Sequence, residues 1–183
     1  METPLAASSR ETAPRPNFPV FRHEGFVLEV EDGRAVGQEL RFVPLRPQSA
    51  SGRPLPLWEL RCRSAAGALA GGCAIALPPG RGDSPSPRQL PHPVLGEWIS
   101  ALRYTGLNWL ECGPLAVAPG CSEEAVTAVM WEGFTRLMDR NGVSFLIGIA
   151  PSNSLALDTA VRRGARVLEP FVPGPSRYFL YVK

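Results

Sequence analysis

Glu111 is a candidate for proton transfer in this chain of 183 residues. It stands beside the apolar residues Leu110 and Leu115. Burial among such neighbours makes a carboxylic acid hold its proton more readily, which suits it to exchange protons near neutral pH. A strand-end carboxylate that pairs with a nearby arginine would explain the same residue without any chemistry. Both interpretations stay open at this point.

Most other kinds of catalytic site lack their residues in this sequence. The two histidines, His23 and His92, stand in predicted loops, which leaves little material for a Ser-His-Asp triad or a histidine-rich metal site. The four cysteines show no C-x-x-C spacing, so we expect no zinc and no other metal. Cys121 precedes a predicted helix, where a thiol can become reactive, but an ordinary small loop residue explains it more simply.

A strand and a helix are predicted directly after Glu111. The apolar run Leu115–Ala118 predicts a buried strand, which a Pro-Gly pair ends. The helix is predicted over Glu123–Arg140, with Ser122 as its cap and two glutamates in its first turn. Apolar side chains recur in it at three- and four-residue spacing, so one face packs inward.

A second strand and a second helix follow. Phe145–Ile149 is an apolar run that is long enough for a strand and too short for a helix. Asn153 or Ser154 can cap the next helix, which stops at Gly164. A strand–helix–strand unit with a crossover of about 20 residues implies two parallel strands. We therefore predict that Leu115–Ala118 and Phe145–Ile149 are parallel neighbours, joined by a right-handed crossover.

Three short motifs follow one another between residues 111 and 165. The first, from Glu111 to Pro119, reads ECGPLAVAP, and the second, at residues 130–134, reads MWEGF. The third consists of Asn153, Ala156, Thr159, Ala160, Arg162, Gly164 and Ala165. In residue type, order and spacing, the three resemble motifs of the GNAT-type N-acyltransferases, in the branch that makes acyl-homoserine lactones and ornithine lipids. Pro114 departs from that pattern, which has an arginine there.

The resemblance implies a fold and an activity. The fold is an α/β (α+β) domain whose central sheet is mostly antiparallel, with one parallel strand pair and flanking helices. The activity is transfer of an acyl group from a co-substrate, acyl-CoA or acyl carrier protein, to the primary amine of a small molecule, without a metal. The resemblance makes Glu111 the base that deprotonates the amine, and backbone N–H groups around Val117 would polarise the thioester carbonyl. It places the donor on Leu115, Val117, Ala118, Gly120, Cys121, Ser122 and Asn153.

A GNAT-like fold that has lost catalysis, and serves as a binding or accessory protein, is the alternative. Pro114, Cys121 and Ala160 each replace a residue that the family's chemistry uses. Glu123 and Glu124 stand where the family binds the phosphates of coenzyme A and would repel them. We therefore expect any binding of acyl-CoA to be weak.

Two of these departures do not exclude a catalytic site. Proline lacks an N–H group, so Pro114 should lie at a bulge or an unpaired edge of the sheet. In this family a splayed strand at that point opens the cleft for the acyl carrier. The family's usual general acid is a tyrosine at the position of Ala160, and Tyr104, Tyr178 or Tyr181 could substitute for it.

Charge and length set the remaining expectations. The 19 basic and 17 acidic residues are scattered along the chain, which gives no argument for nucleic acid or an anionic membrane as partner. No apolar run is long enough to span a membrane and no signal segment opens the sequence, so we expect a cytoplasmic protein. We predict a disordered tail at residues 1–20 and a single domain at 21–183.

Alternating or apolar runs predict further elements outside the central stretch. The predicted strands are Phe26–Val30, Gln38–Leu45, Leu57–Arg63, Leu69–Leu77, Arg166–Glu169 and Arg177–Val182, and a short helix is predicted at Val94–Tyr104. Within Leu57–Arg63, charged residues alternate with apolar ones, so the two sets face opposite sides of the sheet. The glycines at positions 71 and 72 indicate a bulge or a close approach of two backbones.

Overall fold

The computed structural model describes residues 15–32, 58–77, 109–168 and 175–183. In chain order its elements are β1 (Phe21–His23), β2 (Phe26–Asp32), β3 (Trp58–Ser64), β4 (Leu69–Ala76), β5 (Trp109–Cys112), β6 (Ala116–Val117), α1 (Glu123–Arg140), β7 (Phe145–Pro151), α2 (Leu155–Arg162), β8 (Arg166–Leu168) and β9 (Ser176–Val182).

The nine described strands form one sheet in the order β1-β2-β3-β4-β5-β7-β9-β8, and β6 pairs with β4 beside β5. The pair of β5 with β7 is parallel, whereas every other described pair is antiparallel. This arrangement confirms the predicted fold class, a mixed α+β domain with a mostly antiparallel sheet, one parallel pair and flanking helices.

Helix α1 has the predicted bounds, and its local sequence explains both of its ends. The Ser122 hydroxyl accepts a hydrogen bond from the backbone N–H of Ala125 at 3.2 Å, which caps the first turn. At the other end Asn141 is the C-cap, and its side-chain amide donates to the carbonyl of Leu137 at 2.7 Å. The helix lies close to the sheet at Gly133, where a Cβ would stand 2.9 Å from a methyl group of Leu28.

The core lies between α1, α2 and one face of the sheet. Leucine and isoleucine side chains from five strands are fully buried there, namely Leu28, Leu60, Ile75, Leu110 and Leu146. Burial of each such side chain contributes about 1.5–3 kcal/mol to stability. The opposite face carries a second, smaller apolar cluster, which Trp109, Ile147 and Leu180 form. Side chains of neighbouring residues on β5 therefore point into different environments.

The predicted parallel pair is wrong in its first strand. Strand β7 pairs with β5, with Trp109 opposite Phe145 and Cys112 opposite Gly148. The run that was expected to take this place, Leu115–Ala118, contains β6, which instead pairs with β4 in the antiparallel sense. An apolar run shows that a segment is buried in a sheet, but it does not show which neighbour the segment pairs with.

The remaining strand predictions agree with the structure where it describes the residues. Strands β2, β3, β4, β8 and β9 lie within one or two residues of the predicted bounds, while β1 was not predicted. The predicted strand Gln38–Leu45 and the predicted helix Val94–Tyr104 lie outside the described residues.

The predicted tail is described only in its last part, residues 15–20. Phe18 is buried in the core, and the backbone of Asn17 exchanges two hydrogen bonds with the side chain of Asn141, at 2.9 and 3.2 Å. The rest of the predicted tail, residues 1–14, lies outside the described residues, and the domain boundary stays a prediction. No helix in the described ranges combines the length and the apolar character that a membrane span requires.

Candidate functional site

The parallel ladder between β5 and β7 ends abruptly at Cys112 and Gly148. Beyond this pair, β6 stays with β4, whereas β7 stays with β9 as far as the pair of Pro151 with Ser176. The two central strands therefore part from each other. We call this opening, between β6 and residues 149–151 of β7, the splay.

A bulge at residues 113–115 accompanies the splay. Cys112 lies opposite Ile75 and Ala116 lies opposite Gly72, so four steps along this segment match three steps along β4. Pro114 lies in the bulge, where its missing N–H group breaks no ladder hydrogen bond. This position confirms the prediction for Pro114. The backbone of the neighbouring Gly113 still donates to the carbonyl of Ala74 at 2.9 Å, which keeps the bulged segment attached to β4.

Backbone N–H groups of β6 face the splay. Just after β6, the N–H of Ala118 donates to the carbonyl of Ala70 on β4 at 2.9 Å. Because N–H groups of successive residues in a strand point to opposite edges, that of Val117 points away from β4. No strand in the described ranges pairs with β6 along that edge. The N–H of Val117 is therefore placed to donate into the splay.

Gly71 allows β4, β6 and α1 to pack tightly beside the splay. A Cβ at this position would lie 2.6 Å from Cγ1 of Val126 on α1 and 2.8 Å from the carbonyl oxygen of Ala116 on β6. Both distances are shorter than a carbon contact permits. The prediction of a close approach at this glycine is confirmed.

Glu111 lies one residue before the end of the parallel ladder, opposite Ile147. Its neighbours Leu110 and Cys112 point into the core beneath α1, so its own side chain projects from the opposite face. There Nε1 of Trp109 donates a hydrogen bond to Oε1 of Glu111 at 2.9 Å. The carboxylate is half-buried and oriented by an indole that is itself buried.

Tyr178 shares the sheet face of Glu111. It pairs with Ile149, one residue beyond the end of the parallel ladder, and packs against the cluster of Trp109, Ile147 and Leu180. Burial, and then the negative charge of Glu111, raise the pKa of Tyr178. The phenol consequently keeps its proton near neutral pH and can act as a donor.

The other two candidate tyrosines have different positions. Tyr181 projects to the helix side of the sheet, where its ring centroid lies 5.4 Å from that of Trp131. Tyr104 lies outside the described residues. Ala160, where the sequence resemblance expects a tyrosine, is fully buried in the core.

The residues predicted to hold the donor lie in two segments, one that includes β6 and the turn after it and one that follows β7. The first runs through β6 and the turn before α1, and it contains Leu115, Val117, Ala118, Gly120, Cys121 and Ser122. Leu115, Val117 and Cys121 are half-buried against the core. The turn itself is closed by a hydrogen bond from the N–H of Cys121 to the carbonyl of Ala118, at 3.1 Å.

The second segment is the turn between β7 and α2, which contains Asn153. Ser154 caps α2, because its hydroxyl accepts a hydrogen bond from the N–H of Leu157 at 3.2 Å. Capping therefore does not explain Asn153, whose side chain is exposed. Both turns follow strands that bound the splay.

Two features limit which anion the start of α1 would accept. The first turn offers backbone N–H groups and the positive end of the helix dipole. Glu123 and Glu124 are exposed in the same turn, and the hydroxyl of Ser122 already accepts the capping bond.

The described residues contain no group of three or more His, Cys, Asp or Glu side chains that could hold a metal ion.

Sequence reasoning did not identify Trp109 as part of the site. The signal was present, since residues two apart on a strand share a face and Trp109 precedes Glu111 by two. This spacing predicts a shared face only if residues 109–111 are known to form a strand, whereas the sequence predicted the strand at residues 115–118.

Comparison of the sequence with protein-family models and with curated proteins found no match. Solved structures do match. A protein from Sphaerobacter thermophilus assigned as an acetyltransferase is 10% identical, with a TM-score of 0.51, over 90% of this chain and 98% of that chain. A yellow fever mosquito protein assigned as an arylalkylamine N-acetyltransferase is 13% identical, with a TM-score of 0.50, over 68% and 63% of the two chains.

A GNAT-family acetyltransferase from Listeria monocytogenes is 14% identical, with a TM-score of 0.43, over 68% of this chain and 64% of that chain. The chain thus spans less than two thirds of the Listeria and mosquito proteins. At these identities the likeness concerns the fold. The mixed sheet with its one parallel pair, together with the matches at TM-scores of 0.51 and 0.50, shows that the chain has the fold of these two proteins.

Proposed function

We propose that this protein transfers an acyl group from a thioester donor to a primary amine. The observation that carries the proposal is the splay itself. It has a carboxylate, Glu111, one residue before it and a backbone donor, the N–H of Val117, directed into it. A base for the amine and a hydrogen-bond donor for the thioester oxygen are the two groups that aminolysis of a thioester requires.

In the proposed reaction the amine nitrogen attacks the thioester carbonyl carbon, and Glu111 takes the proton that the nitrogen loses. The N–H of Val117 stabilises the negative charge that develops on the carbonyl oxygen. The tetrahedral intermediate then collapses, the carbon–sulfur bond breaks, and the thiol leaves with a proton. The amide and the free thiol are the products.

Tyr178 is our candidate for the proton that the departing sulfur receives. It lies on the same face as Glu111 and one residue beyond the end of the ladder, and its raised pKa keeps the phenol protonated. Tyr178 would then serve as the general acid, the role that the sequence resemblance assigns to a tyrosine at position 160. The proton that Glu111 took from the amine then passes through solvent to the phenolate of Tyr178, which restores both groups to their starting states.

The donor is proposed to be acyl-CoA or the thioester of an acyl carrier protein, held along Leu115, Val117, Ala118, Gly120, Cys121, Ser122 and Asn153. The position of these residues, along or directly after the two strands that bound the splay, supports this assignment. The sequence resemblance to the acyl-homoserine lactone and ornithine-lipid branch makes homoserine lactone and ornithine the first amines to test.

Release of thiol from a panel of acyl-CoA and acyl-carrier thioesters, in the presence of these amines, tests the proposal. Glu111→Gln keeps the shape of the side chain and an oxygen that can accept from Trp109, but it removes the base. We expect the rate to fall about 10²- to 10⁴-fold, while the free energy of unfolding changes little. Equal rates for wild type and variant would contradict the role of Glu111. If no donor and amine react with the wild type, the alternative of a non-catalytic binding protein is favoured.

A further inference from the structure

Three exposed valines gather at one corner of the molecule, where α2 and β8 meet. Val161, Val167 and Val182 have 47%, 36% and 54% of their surface exposed, and Val20 is the other exposed large hydrophobic residue among those that the structure describes. Single exposed apolar residues are ordinary on a protein surface. A group of them next to one another indicates a surface that contacts something apolar.

Val161 and Val167 lie on the two arms of one tight turn. Each is three residues from Gly164, whose N–H donates to the carbonyl of Val161 at 2.9 Å. Val167 lies opposite Phe179 on β9, and Phe179 is buried in the core beneath the helices, so Val167 faces the helix side of the sheet. The two valines consequently flank the edge where α2 passes into β8.

Val182 and Arg166 extend this corner to the other side of the sheet. Arg166 lies opposite Leu180, which belongs to the apolar cluster on the face away from the helices. Val182 follows Leu180 by two residues and therefore shares that face, as a diagonal neighbour of Arg166 at about 7–8 Å. We call the six residues at this corner the corner surface, namely Val161, Arg162, Arg163, Arg166, Val167 and Val182.

The corner surface has an excess of positive charge. Its three arginines are exposed, and no ion pair between residues that the structure describes engages any of their guanidinium groups. Asp158 is the single acidic residue between positions 153 and 168, so this stretch carries a net charge of +2. The end of a helix favours basic residues, which accounts for Arg162 and Arg163. It does not account for Arg166, which lies on a strand, or for the exposed valines.

We propose that the corner surface binds the surface of a membrane that contains anionic lipids. The arginines contact the anionic headgroups, and the valines enter the boundary between headgroups and acyl chains. A nucleic acid would match the arginines, but it offers phosphates and no apolar layer to the valines. The balanced charge of the whole chain does not predict such a partner, whereas the local excess at the corner surface does. Such binding is independent of the proposed acyl transfer.

Sedimentation of the full chain with lipid vesicles tests this binding without any thioester or amine. One set of vesicles is pure phosphatidylcholine, and the other contains about 30 mol% phosphatidylserine, which gives it a negative surface potential. We expect wild type to bind the anionic vesicles and not the neutral ones. Binding should weaken as the salt concentration rises, because salt screens the attraction.

Arg162→Gln combined with Arg166→Gln tests the charged part of the corner surface. Binding to the anionic vesicles should weaken roughly 30-fold, because each arginine at such a surface contributes about a factor of five. Arg22→Gln combined with Arg136→Gln is the matched control, since it lowers the net charge equally at two exposed arginines on β1 and α1. It should weaken binding less than about threefold, because charges held away from the membrane are screened.

Val161→Ser combined with Val167→Ser keeps every charge and removes apolar area. We expect binding to the anionic vesicles to weaken about 3- to 20-fold, because serine gains little from leaving water. The six residues changed in these variants are all exposed, so the free energy of unfolding should stay close to that of wild type.

Several outcomes would overturn the proposal. Wild type that binds neither kind of vesicle, or both equally, would rule out recognition of anionic lipid. Equal weakening by the two arginine pairs would mean that net charge governs binding and the corner surface does not. Unchanged binding by the valine variant would mean that the valines stay out of the lipid. Tighter binding of wild type to a DNA duplex than to the anionic vesicles would assign the corner surface to nucleic acid instead.

Discussion

The indole Nε1 of Trp109 lies 2.9 Å from Oε1 of Glu111 and donates a hydrogen bond to it. The two residues are two apart on β5, so they share one face of the sheet at the point where β5 and β7 are about to part. The carboxylate is consequently held by a buried, rigid ring. It is not left to sample several rotamers above the sheet.

Trp109→Phe tests whether this contact positions the base. The change removes the N–H donor but keeps an aromatic ring, and we expect the acyl-transfer rate to fall about 10- to 150-fold, as the loss of one hydrogen bond to a charged group implies. Some loss of stability is expected as well, because Trp109 is buried. Rates of the Glu111→Gln variant and of the double variant complete a mutant cycle. If Trp109→Phe slows the Glu111→Gln variant by the same factor as it slows wild type, the tryptophan does not act through Glu111.

Tyr178→Phe tests the proposed proton donor. Loss of the phenol should slow thioesters of alkyl thiols at least tenfold, because their thiolates leave poorly without a proton. Thioesters of aromatic thiols, whose thiolates leave readily, should be slowed much less. Tyr181→Phe is the matched control, since Tyr181 faces Trp131 on the helix side of the sheet. An equal effect of Tyr178→Phe on both kinds of thioester would exclude Tyr178 as the acid.

Glu123→Gln combined with Glu124→Gln tests the electrostatics at the start of α1. Each exposed carboxylate costs a bound phosphate about 1 kcal/mol or less, so the double variant should bind coenzyme A up to about 30-fold more tightly. Calorimetric titration with pantetheine, which has no phosphates, provides the control and should show no change. Unchanged affinity for coenzyme A would mean that its phosphates bind elsewhere or not at all.

Glu59 makes stability depend on pH. It is buried on β3, where its carboxylate accepts a hydrogen bond from Nε of Arg61 at 3.2 Å. Burial outweighs this contact and raises the pKa of Glu59 above the usual 4.5. The folded protein therefore retains a proton that the unfolded chain releases, so the free energy of unfolding falls as the pH rises from 4.5 through the folded pKa.

Glu59→Gln should remove that fall. The free energy of unfolding, measured by urea denaturation in steps from about pH 4 to about pH 8, should decline less steeply in the variant than in wild type. Glu31→Gln is a useful comparison, because Glu31 also pairs with Arg61, at 2.9 Å, but is less buried. Parallel curves for wild type and Glu59→Gln would show that Glu59 titrates alike in the folded and unfolded states.

Local sequence alone determined the elements around the site. The spacing of apolar residues, the cap at Ser122 and the Asn-Gly pair after Arg140 predicted α1 within its observed bounds. Alternation predicted β2, β3 and β9, and the missing N–H of Pro114 predicted a break in the ladder where the bulge occurs. Each of these features depends on dihedral preferences and hydrogen bonds within a few residues, so the local sequence determines it without contacts to distant parts of the chain.

Tertiary structure decided which elements meet. The sequence of Leu115–Ala118 does not predict that this run pairs with β4 rather than β7, because an apolar strand can be buried equally well beside either neighbour. The choice depends on Gly71, distant in sequence, whose missing side chain admits both β6 and α1. The same holds for the position of Glu111 at the end of the parallel ladder, because the register between β5 and β7 is set by the packing of the whole sheet.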